Sequence, residues 1–438
     1  MTLAEQITAE IIDEKKSVYV SGEAGTGKSY LLRELTAKLS QINRSFVVLA
    51  PTGLAAVAVH GQTIHKFCGL PPKPGYAFLQ SLESLHKPRK QKLIKALETI
   101  IIDEISMVRA DLFDALDAFF RLNRENPEEP FGGVQIVLFG DHFQLPPIVR
   151  RDETTLFEEY YSSPYFFSAK AYALLQPEPR KLLTHYRQKD PEFIELLQTI
   201  RNGQVGRMEL NALNQTLQIQ PIPSDNNTVT VAGRNQQVET QNKEKLSALG
   251  GKEKIYRGII EGNFDARQAP TPQELRLKPG ARVMFVRNDP DGRWVNGTVA
   301  QVLSLKTGSV TVAAATPSGS EKTFAVKPVV WERFEYALNP ETNQVEEQLT
   351  GSFTQLPLTL AWAVTIHKAQ GQTYESCFVD LGKSAFASGQ TYVALSRAKS
   401  LAGLTLARPL HLRDLPVNPA VVEFEAATSW NESLRKRR

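Results

Sequence analysis

Cysteine is scarce in this chain: Cys68 and Cys377 are the only two among 438 residues, and they lie far apart. Two isolated cysteines exclude a disulfide-rich scaffold and a cysteine-ligated zinc cluster, because both need closely spaced sets of thiols. We expect both to be buried apolar side chains of a protein from a reducing compartment.

Long apolar runs are also absent, since none approaches the roughly 20 residues that cross a bilayer. The stretch Met1–Lys16 is polar and charged and contains no apolar core of a secretion signal. The sequence therefore predicts a cytosolic protein, or a nuclear one in a eukaryote.

Neither sign of charge is in large excess, because the formal net charge is only +4 at pH 7. A charge this small gives no strong long-range field. A polyanionic partner would have to be held by local basic patches and backbone amides. The length is enough for about two to four domains.

The segment Gly22–Ser29 reads Gly-Glu-Ala-Gly-Thr-Gly-Lys-Ser, which is the G-x-x-x-x-G-K-[ST] pattern of a phosphate-binding loop. An apolar run, Val18–Val20, precedes it, and a helix-forming stretch, Tyr30–Leu39, follows it. In such a loop backbone amides surround the phosphates and Lys28 adds positive charge. The Ser29 hydroxyl suits Mg²⁺, so the pattern predicts a nucleoside triphosphate and magnesium as cofactors.

The first half of the chain alternates short apolar runs with helix-forming stretches. Continuous apolar runs of this kind are typical of parallel strands that are covered on both faces. We therefore predict an α/β domain of the RecA-like kind, with its chemistry at the carboxyl ends of the strands. The predicted strands are Ser17–Val20, Phe46–Ala50, Ile100–Asp103 and Ile136–Phe139, and the predicted helices are Tyr30–Leu39, Leu54–His60 and Ala110–Arg124.

A second α/β pattern follows Pro177-Glu178-Pro179, interrupted between about residues 281 and 355 by short runs with turn signals, which favours a small inserted barrel. The predicted strands of the α/β part are Thr228–Ala232, Cys377–Leu381 and Leu404–Ala407. Those of the barrel are Val283–Val286, Val295–Val302, Ser309–Ala314 and Phe324–Val330.

Polar side chains follow the predicted strands of the first domain. Asp103 and Glu104 end an apolar strand, where a phosphate-loop ATPase holds Mg²⁺ and activates the attacking water. Gln144 lies on the loop after the next strand, where an amide can sense a γ-phosphate, or can simply face solvent. Arg187 and Arg397 each follow an apolar segment; guanidinium groups in such positions stabilise charge in phosphoryl transfer or form surface ion pairs.

Eight ordered motifs together resemble the superfamily-one helicases that move 5′ to 3′, and most closely the Pif-one family. The resemblance runs from Gln6 to about Pro409. Glu104–Gly133 is similar to that family's own signature stretch, and the related RecD and Dda helicases match it less well. The motifs are GEAGTGKS, APTGLAA, GQTIHKF, IIIDEISM, FGGVQIVLFGDHFQLPP, HYRQ, TIHKAQGQT and YVALSRA.

The resemblance implies roles for individual residues. For nucleotide binding it implies Gln6 and Tyr186 at the adenine; Gly22, Gly25, Thr26, Gly27, Lys28 and Ser29 at the phosphates; and Gly371 with Gln372 in the motif that links nucleotide to nucleic acid. For catalysis it implies Lys28, Asp103, Glu104, the sensor Gln144 and the arginine fingers Arg187 and Arg397, with Ser29 and Asp103 on the metal. For DNA it implies Pro51, Thr52, Gly53, Thr63, His65, Thr365, His367 and Lys368. His142 departs from the family pattern, in which an aromatic residue is common.

The resemblance also implies the architecture: two RecA-like parallel-sheet domains, an SH3-like inserted barrel and a short wedge insertion. The predicted boundaries are 1–68 with 96–178 for the first domain, 69–95 for the wedge, 179–280 with 356–438 for the second domain, and 281–355 for the barrel. The basic run Lys87–Lys92 is equally consistent with a DNA contact and with a solvated helix face. The tail Arg435–Arg438 favours a solvated end.

The implied activity is an ATP-dependent 5′-to-3′ DNA helicase that translocates on single-stranded DNA and unwinds duplexes, with G-quadruplexes and RNA–DNA hybrids as further candidate substrates. The expected partners are single-stranded DNA and single/double-strand junctions, and the expected state is a monomer in the cytoplasm or nucleoid of a bacterium. Two alternatives stay open. An ATP-switched clamp would hydrolyse ATP without unwinding, and an RNA helicase would use the same phosphate contacts, since no residue in the sequence identifies a reader of the 2′-hydroxyl.

Overall fold

The computed structural model describes residues 2–70, 86–150, 153–221, 228–266, 269–315, 321–339, 341–342 and 344–431. Most of the predicted wedge insertion, at 71–85, and the tail at 435–438 lie outside these ranges. No helix within them is long and apolar enough to cross a membrane.

The α-helices vary from a single turn to fifteen residues. In chain order they are α1 Leu3–Ile12, α2 Lys28–Gln41, α3 Gly53–Ala58, α4 Ile64–Cys68, α5 Gln91–Ala96, α6 Ala110–Arg124, α7 Thr154–Glu158, α8 Lys170–Leu175, α9 Pro191–Arg201, α10 Arg207–Thr216, α11 Asn235–Ala248, α12 Ile366–Ala369, α13 Gln390–Leu395 and α14 Pro419–Ala427.

The strands form two parallel sheets and several antiparallel ones. In chain order they are β1 Val18–Gly22, β2 Phe46–Ala50, β3 Gln62–Thr63, β4 Thr99–Ile102, β5 Gln135–Gly140, β6 Glu178–Leu182, β7 Gln218–Ile219, β8 Val229–Ala232, β9 Lys254–Arg257, β10 Ile259–Gly262, β11 Glu274–Leu277, β12 Arg282–Phe285, β13 Val299–Lys306, β14 Ser309–Ala315, β15 Glu321–Val326, β16 Val329–Leu338, β17 Val345–Gln355, β18 Leu358–Leu360, β19 Ala363–Thr365, β20 Cys377–Asp380 and β21 Leu404–Leu406.

The chain divides into two compact units. The first contains residues 1–186, 334–349 and 418–438, and the second contains residues 187–333 and 350–417. The domain boundaries predicted from the sequence stay predictions. They assign 334–349 to the barrel and 418–438 to the second domain, whereas the compact units group both segments with the amino-terminal half.

The first unit is built on a parallel sheet with the strand order β3-β2-β4-β5-β1-β6. Successive side chains of a strand point to opposite faces, and here both faces are apolar. Tyr19, Ile100 and Ile102 pack with α6 on one face. Val20 and Ile101 pack with α1 and α2 on the other face. Burial on both faces explains why these strands are continuous apolar runs in the sequence.

The second unit contains a parallel sheet with the order β19-β8-β20-β21-β7 and a separate antiparallel sheet with the order β15-β14-β13-β12-β18. The antiparallel sheet has its own core, which includes Val283, Val302 and Val312. The α/β class with two parallel sheets is thus confirmed. An antiparallel sheet occupies the position of the predicted barrel, and closure of that sheet into a barrel stays a prediction.

One predicted strand is wrong. Phe324–Val330 is not a single strand, because β15 ends at Val326 and β16 begins at Val329. Pro328 lies between them, and a proline has no N–H to donate to a strand ladder. The strand predicted at Val295–Val302 begins later than expected, at Val299, and continues to Lys306.

Candidate nucleotide and nucleic-acid sites

The candidate residues of the first unit lie at one edge of its parallel sheet. Because the strands are parallel, their carboxyl ends meet at the same edge. The register places Ser21 beside Gly140 and Ile102 beside Leu138, so the segments after β1, β5 and β4 are neighbours. The segments after β2 and β3 lie further along this edge, with Ala50 beside Thr63.

The phosphate loop connects β1 to α2, as the sequence predicted. Gly25 and Gly27 have φ values of +83° and +89°, which side-chain-bearing residues rarely adopt. At Gly22 a β-carbon would lie 2.4 Å from Thr26 Oγ1, and that hydroxyl donates to the carbonyl of Glu23 at 2.9 Å. The glycines therefore allow a tight turn whose backbone can approach a bound phosphate.

The Lys28 ammonium lies over this loop. It donates to the carbonyl oxygens of Gly22 at 2.6 Å and Glu23 at 3.0 Å. Lys28 and Ser29 form the first turn of α2, where the backbone amides favour an anion. The loop thus combines a mobile cation with a helix amino terminus.

The acidic pair follows β4 directly. Burial raises the pKa of the Asp103 carboxyl, while the Lys28 ammonium and the Glu104 amide oppose that rise. The interaction of Asp103 with Lys28 places the first acid next to the phosphate loop. Glu104 has φ +50° and ψ +45°, a left-handed conformation that is strained for any residue except glycine and is common at functional sites.

Gln144 lies on the buried loop after β5. Its side-chain amide donates to Asp141 Oδ2 at 3.2 Å, and its backbone N–H donates to the Asp141 carbonyl at 2.9 Å. Asp141 is fully buried and Gln144 is 6% exposed, so Gln144 does not face solvent as a surface side chain would. Its loop follows β5, the strand that lies between those carrying the phosphate loop and the acidic pair.

Tyr186 lies against the phosphate loop, whereas Gln6 is half-buried on the first turns of α1. The Tyr186 backbone N–H donates to the Gly25 carbonyl at 2.9 Å. Its ring lies so close that a β-carbon on Gly27 would be 3.4 Å from Cε2. The ring is nevertheless 69% exposed, and an exposed aromatic face beside a phosphate loop can stack on a nucleobase.

The three candidate threonines share one local structure. Each is the amino-terminal cap of a short helix, with Oγ1 accepting a backbone N–H. Thr52 accepts from Ala55 at 3.2 Å, Thr63 from Lys66 at 3.3 Å and Thr365 from Lys368 at 3.3 Å. A hydroxyl that accepts in this way retains its own hydrogen for donation. Pro51 follows β2 directly, and Gly53 is the first residue of α3.

The two candidate histidines differ in exposure. His65, on α4, is half-buried, whereas His367, on α12, is exposed. Desolvation lowers the pKa of both imidazoles, and at His65 the Asp111 carboxylate opposes the effect. Both rings are therefore neutral above pH 7 and provide flat surfaces without charge. Lys368 is exposed beside His367.

The two candidate arginine fingers lie in the second unit and both donate to the turn between α12 and β20. Arg187 donates to the Gly371 carbonyl at 3.2 Å. Arg397 donates to the carbonyls of Ala369 at 3.3 Å and Gln372 at 3.2 Å, and it is only 1% exposed. Burial and the charge of Arg397 lower the pKa of Arg187 to about 9, which still leaves the Arg187 guanidinium charged at neutral pH.

The basic run Lys87–Lys92, inside the predicted wedge insertion, makes structural contacts through some of its side chains. Lys90 donates to the Phe67 carbonyl at 3.0 Å, and just beyond the run Lys95 pairs with Glu125 at 2.6 Å. Lys92 is exposed. Both interpretations of the run therefore stay open.

The sequence did not reveal a contact from residues 334–349 to the first DNA-candidate segments. The Tyr336 hydroxyl accepts from the Val48 amide at 3.0 Å, Gln62 donates to the Phe334 carbonyl at 3.1 Å, and Lys66 pairs with Glu335 at 2.6 Å. These residues hold β2, β3 and α4. No local pattern could have identified them, since Tyr336 is 288 residues from Val48.

A phosphate loop follows an inner strand of the parallel sheet, an acidic pair follows another, and a polar amide follows the strand between them. This arrangement is typical of phosphate-loop nucleotide hydrolases of RecA-like architecture. Comparison with known proteins specifies the group further. Residues 2–210 match the PIF1-like helicase family. The chain is 30% identical to the ATP-dependent DNA helicase Pif1 of Bdellovibrio bacteriovorus, over 96% of this chain and 90% of that protein.

A solved structure is similar along the whole chain. It is Bacteroides sp Pif1 in complex with ADP-AlF4, which is 33% identical, covers 99% of this chain and 97% of its own, and gives a TM-score of 0.88. The human ATP-dependent DNA helicase PIF1 is 35% identical over 96% of this chain, which spans 62% of the length of that relative. This chain belongs to the PIF1-like helicase family.

Proposed function

We propose that this chain is an ATP-dependent DNA helicase that moves 5′ to 3′ on single-stranded DNA and separates duplexes. One observation carries the proposal: a complete phosphate loop, an acidic pair and a buried glutamine meet at one sheet edge, and threonine-capped turns with neutral donors lie further along that edge. The first group suits phosphoryl transfer, and the second suits a polyanionic strand.

In this proposal each residue at the nucleotide has its own role. Lys28 and the loop amides bind the phosphates, Tyr186 stacks on the base, and Gln6 contacts its edge. Glu104 orients and deprotonates the attacking water, and Gln144 responds to the γ-phosphate. Arg187 and Arg397 are the proposed arginine fingers, and both bond the turn of Gly371 and Gln372, which links nucleotide to nucleic acid.

Magnesium fits the residues at this sheet edge. Ser29 offers a hydroxyl oxygen and Asp103 a carboxylate, and hard oxygen ligands are those that Mg²⁺ prefers. Two protein ligands are enough for an ion that retains several waters and binds phosphate oxygens. When bound, it would neutralise charge on the phosphates. Asp103 is half-buried and interacts with Lys28, so this chain holds the carboxylate in place next to the loop.

The proposed DNA contacts are mostly uncharged. Thr52, Thr63 and Thr365 can each donate a hydroxyl hydrogen to a phosphate oxygen, and such contacts position a strand without reading its sequence. Lys368 adds one exposed cation, and the rings of His65 and His367 offer stacking faces. This composition agrees with the small net charge of the chain.

The solved relatives support the partners. Bacteroides Pif1 has been crystallised bound to single-stranded DNA, and a related structure describes unwinding at forked double-stranded DNA by two coordinating Pif1 helicases. We extend both partners to this chain, together with the monomeric state expected in solution. A DNA substrate places the protein where the chromosome is, in the bacterial nucleoid or the eukaryotic nucleus.

The test measures ATP turnover by the purified chain with matched single strands of DNA or RNA, together with displacement of a labelled strand from a tailed duplex. We expect stimulation by DNA, displacement that requires ATP, and loss of both with Lys28→Ala. Turnover without displacement would instead identify an ATP-switched clamp. Preferential stimulation and displacement with RNA would identify an RNA helicase.

A further inference from the structure

A buried polar cluster links the loop that carries Gln144 to the carboxyl-terminal segment of the chain. At its centre is His142, whose side chain is fully buried. His142 Nδ1 lies 2.9 Å from the Tyr19 hydroxyl, and its Nε2 lies 2.9 Å from Glu425 Oε2. Tyr19 belongs to β1 and Glu425 to α14, so one imidazole joins three separate parts of the first unit.

The chemistry of the partners fixes the direction of these hydrogen bonds. Burial raises the pKa of Tyr19 well above its usual value, so the phenol keeps its hydrogen and donates it to Nδ1. Nε2 then carries the imidazole hydrogen and donates to the Glu425 carboxylate. The other oxygen of Glu425 accepts from the Lys181 ammonium. In this arrangement the phenol, the imidazole, the carboxylate and the ammonium each have a hydrogen-bond partner.

Aromatic rings and backbone bonds fix the same segment. The His142 ring is stacked on Trp430, with centroids 5.9 Å apart and an interplanar angle of 3°. It meets Phe424 edge-on at 5.2 Å. The Asn431 side chain exchanges two bonds with the backbone of Lys181, each 3.0 Å long. Residues 424–431 thus pack against the loop that carries His142.

The same loop also carries the candidate sensor Gln144. Asp141, immediately before His142, accepts from the Gln144 amide at 3.2 Å and from the Phe143 N–H at 3.2 Å. A shift of His142 would therefore move Asp141 and, through it, the side chain of Gln144. Glu425 is 283 residues from His142, so α14 constrains a catalytic loop with which it shares no local sequence.

We propose that Glu425, His142 and Tyr19 are positioning residues for ATP hydrolysis, and that α14 holds the Gln144 loop in its active orientation through them. This inference rests on the proposed function, because it assigns a role relative to the γ-phosphate sensor. We assign the three residues to the chemical step and not to ATP binding or to the DNA strand.

Single variants and one double variant test this role, with steady-state ATP turnover on saturating single-stranded DNA as the main measurement. Glu425→Leu removes the acceptor, whereas Glu425→Gln keeps an oxygen that can accept from Nε2–H. Tyr19→Phe removes one hydroxyl from an otherwise intact core and guards against misfolding of the leucine variant. Glu423→Leu, at an exposed position on the same helix, is the matched control. KM for ATP, the affinity for DNA and the thermal unfolding midpoint are measured on each.

We expect Glu425→Leu to lower kcat by about tenfold or more with little change in KM, because small displacements of a catalytic group cost this much. Tyr19→Phe should lower kcat by a smaller factor, and Glu425→Gln and the control should stay near wild type. Combining His142→Phe with Glu425→Leu should lower kcat no further than one change alone, because both break the same chain of bonds.

The proposal is overturned if Glu425→Leu and Tyr19→Phe keep wild-type kcat, or if KM rises while kcat is unchanged. Multiplicative losses in the double variant would also overturn it, since they would show independent effects. Absence of ATP turnover in the wild-type chain is a separate result, which would refute the proposed function before any variant is compared.

Discussion

The left-handed backbone conformation of Glu104 predicts that this residue lowers the free energy of unfolding of the protein. At φ +50° a non-glycine residue is less favourable by about 1–2 kcal/mol. Glycine avoids that strain but loses about 0.5–1 kcal/mol through its greater freedom in the unfolded chain. Glu104→Gly and Glu104→Gln both lose the contacts of the carboxylate. The free energy of unfolding of the glycine variant should therefore be about 0–1.5 kcal/mol higher than that of the glutamine variant.

Urea unfolding followed by fluorescence measures this difference, and DNA-stimulated ATP turnover is measured on the same preparations. Both Glu104 variants should be inactive, while the glycine variant is the more stable of the two. Gln176→Gly is the matched control, because Gln176 has φ +45° at the end of α8 and is exposed. It should gain stability and keep full turnover. A glycine variant that is less stable than the glutamine variant would refute the strain at Glu104. Retained turnover in either variant would refute the role of Glu104 as the catalytic base.

Four further outcomes follow. Gly27→Ala should raise KM for ATP strongly, because φ is +89° and the new methyl group would approach Tyr186 at 3.4 Å; an unchanged KM would contradict that geometry. Arg397→Lys should lose turnover and lower the thermal midpoint, because one ammonium cannot replace donors to Ala369, Gln372 and Val393; a fully stable, active variant would make those bonds dispensable. The pKa of His65 is lowered from 6.5, so its contribution to stability is complete above that pH and is lost as pH falls through the lower folded-state value. Unfolding from pH 7.5 to 5 should show a shallower pH dependence for His65→Gln, and an identical dependence would exclude the burial effect. Lys368→Ala should reduce the slope of log affinity for single-stranded DNA against log salt by about 0.7, whereas Thr365→Ala should weaken binding at unchanged slope; titration by fluorescence anisotropy decides.

The phosphate loop and the strand ends could be predicted from sequence because their signals are local. Gly22–Ser29 has a fixed spacing, and the loop connects β1 to α2 as expected. Helix α6 has the predicted bounds, Ala110–Arg124, since its apolar positions follow a helical repeat. Parallel strands that are buried on both faces also leave a clear pattern. Because the predicted strands are parallel, the sequence also predicts that Asp103, Gln144 and the phosphate loop meet at one edge of the sheet.

Contacts between distant segments could not be predicted in this way. Glu425 lies on a short helix, Pro419–Ala427, whose local sequence does not indicate a partner, and the contact with His142 forms only in the folded chain. The same holds for Tyr336, which caps the Val48 amide of β2. The burial of Arg397 could not be predicted either. A Ser-Arg pair after an apolar run is the same sequence pattern whether the guanidinium is exposed or is bound to carbonyls.

Directional unwinding is the most direct test of the proposed helicase. Two duplexes of identical sequence, one with a 5′ single-stranded tail and one with a 3′ tail, are incubated with the purified chain, ATP and Mg²⁺, and the displaced strand is quantified. We expect displacement from the 5′-tailed duplex alone, and none with Lys28→Ala. Displacement only from the 3′-tailed duplex would contradict the proposed polarity, and no displacement from either, despite DNA-stimulated turnover, would contradict the helicase itself.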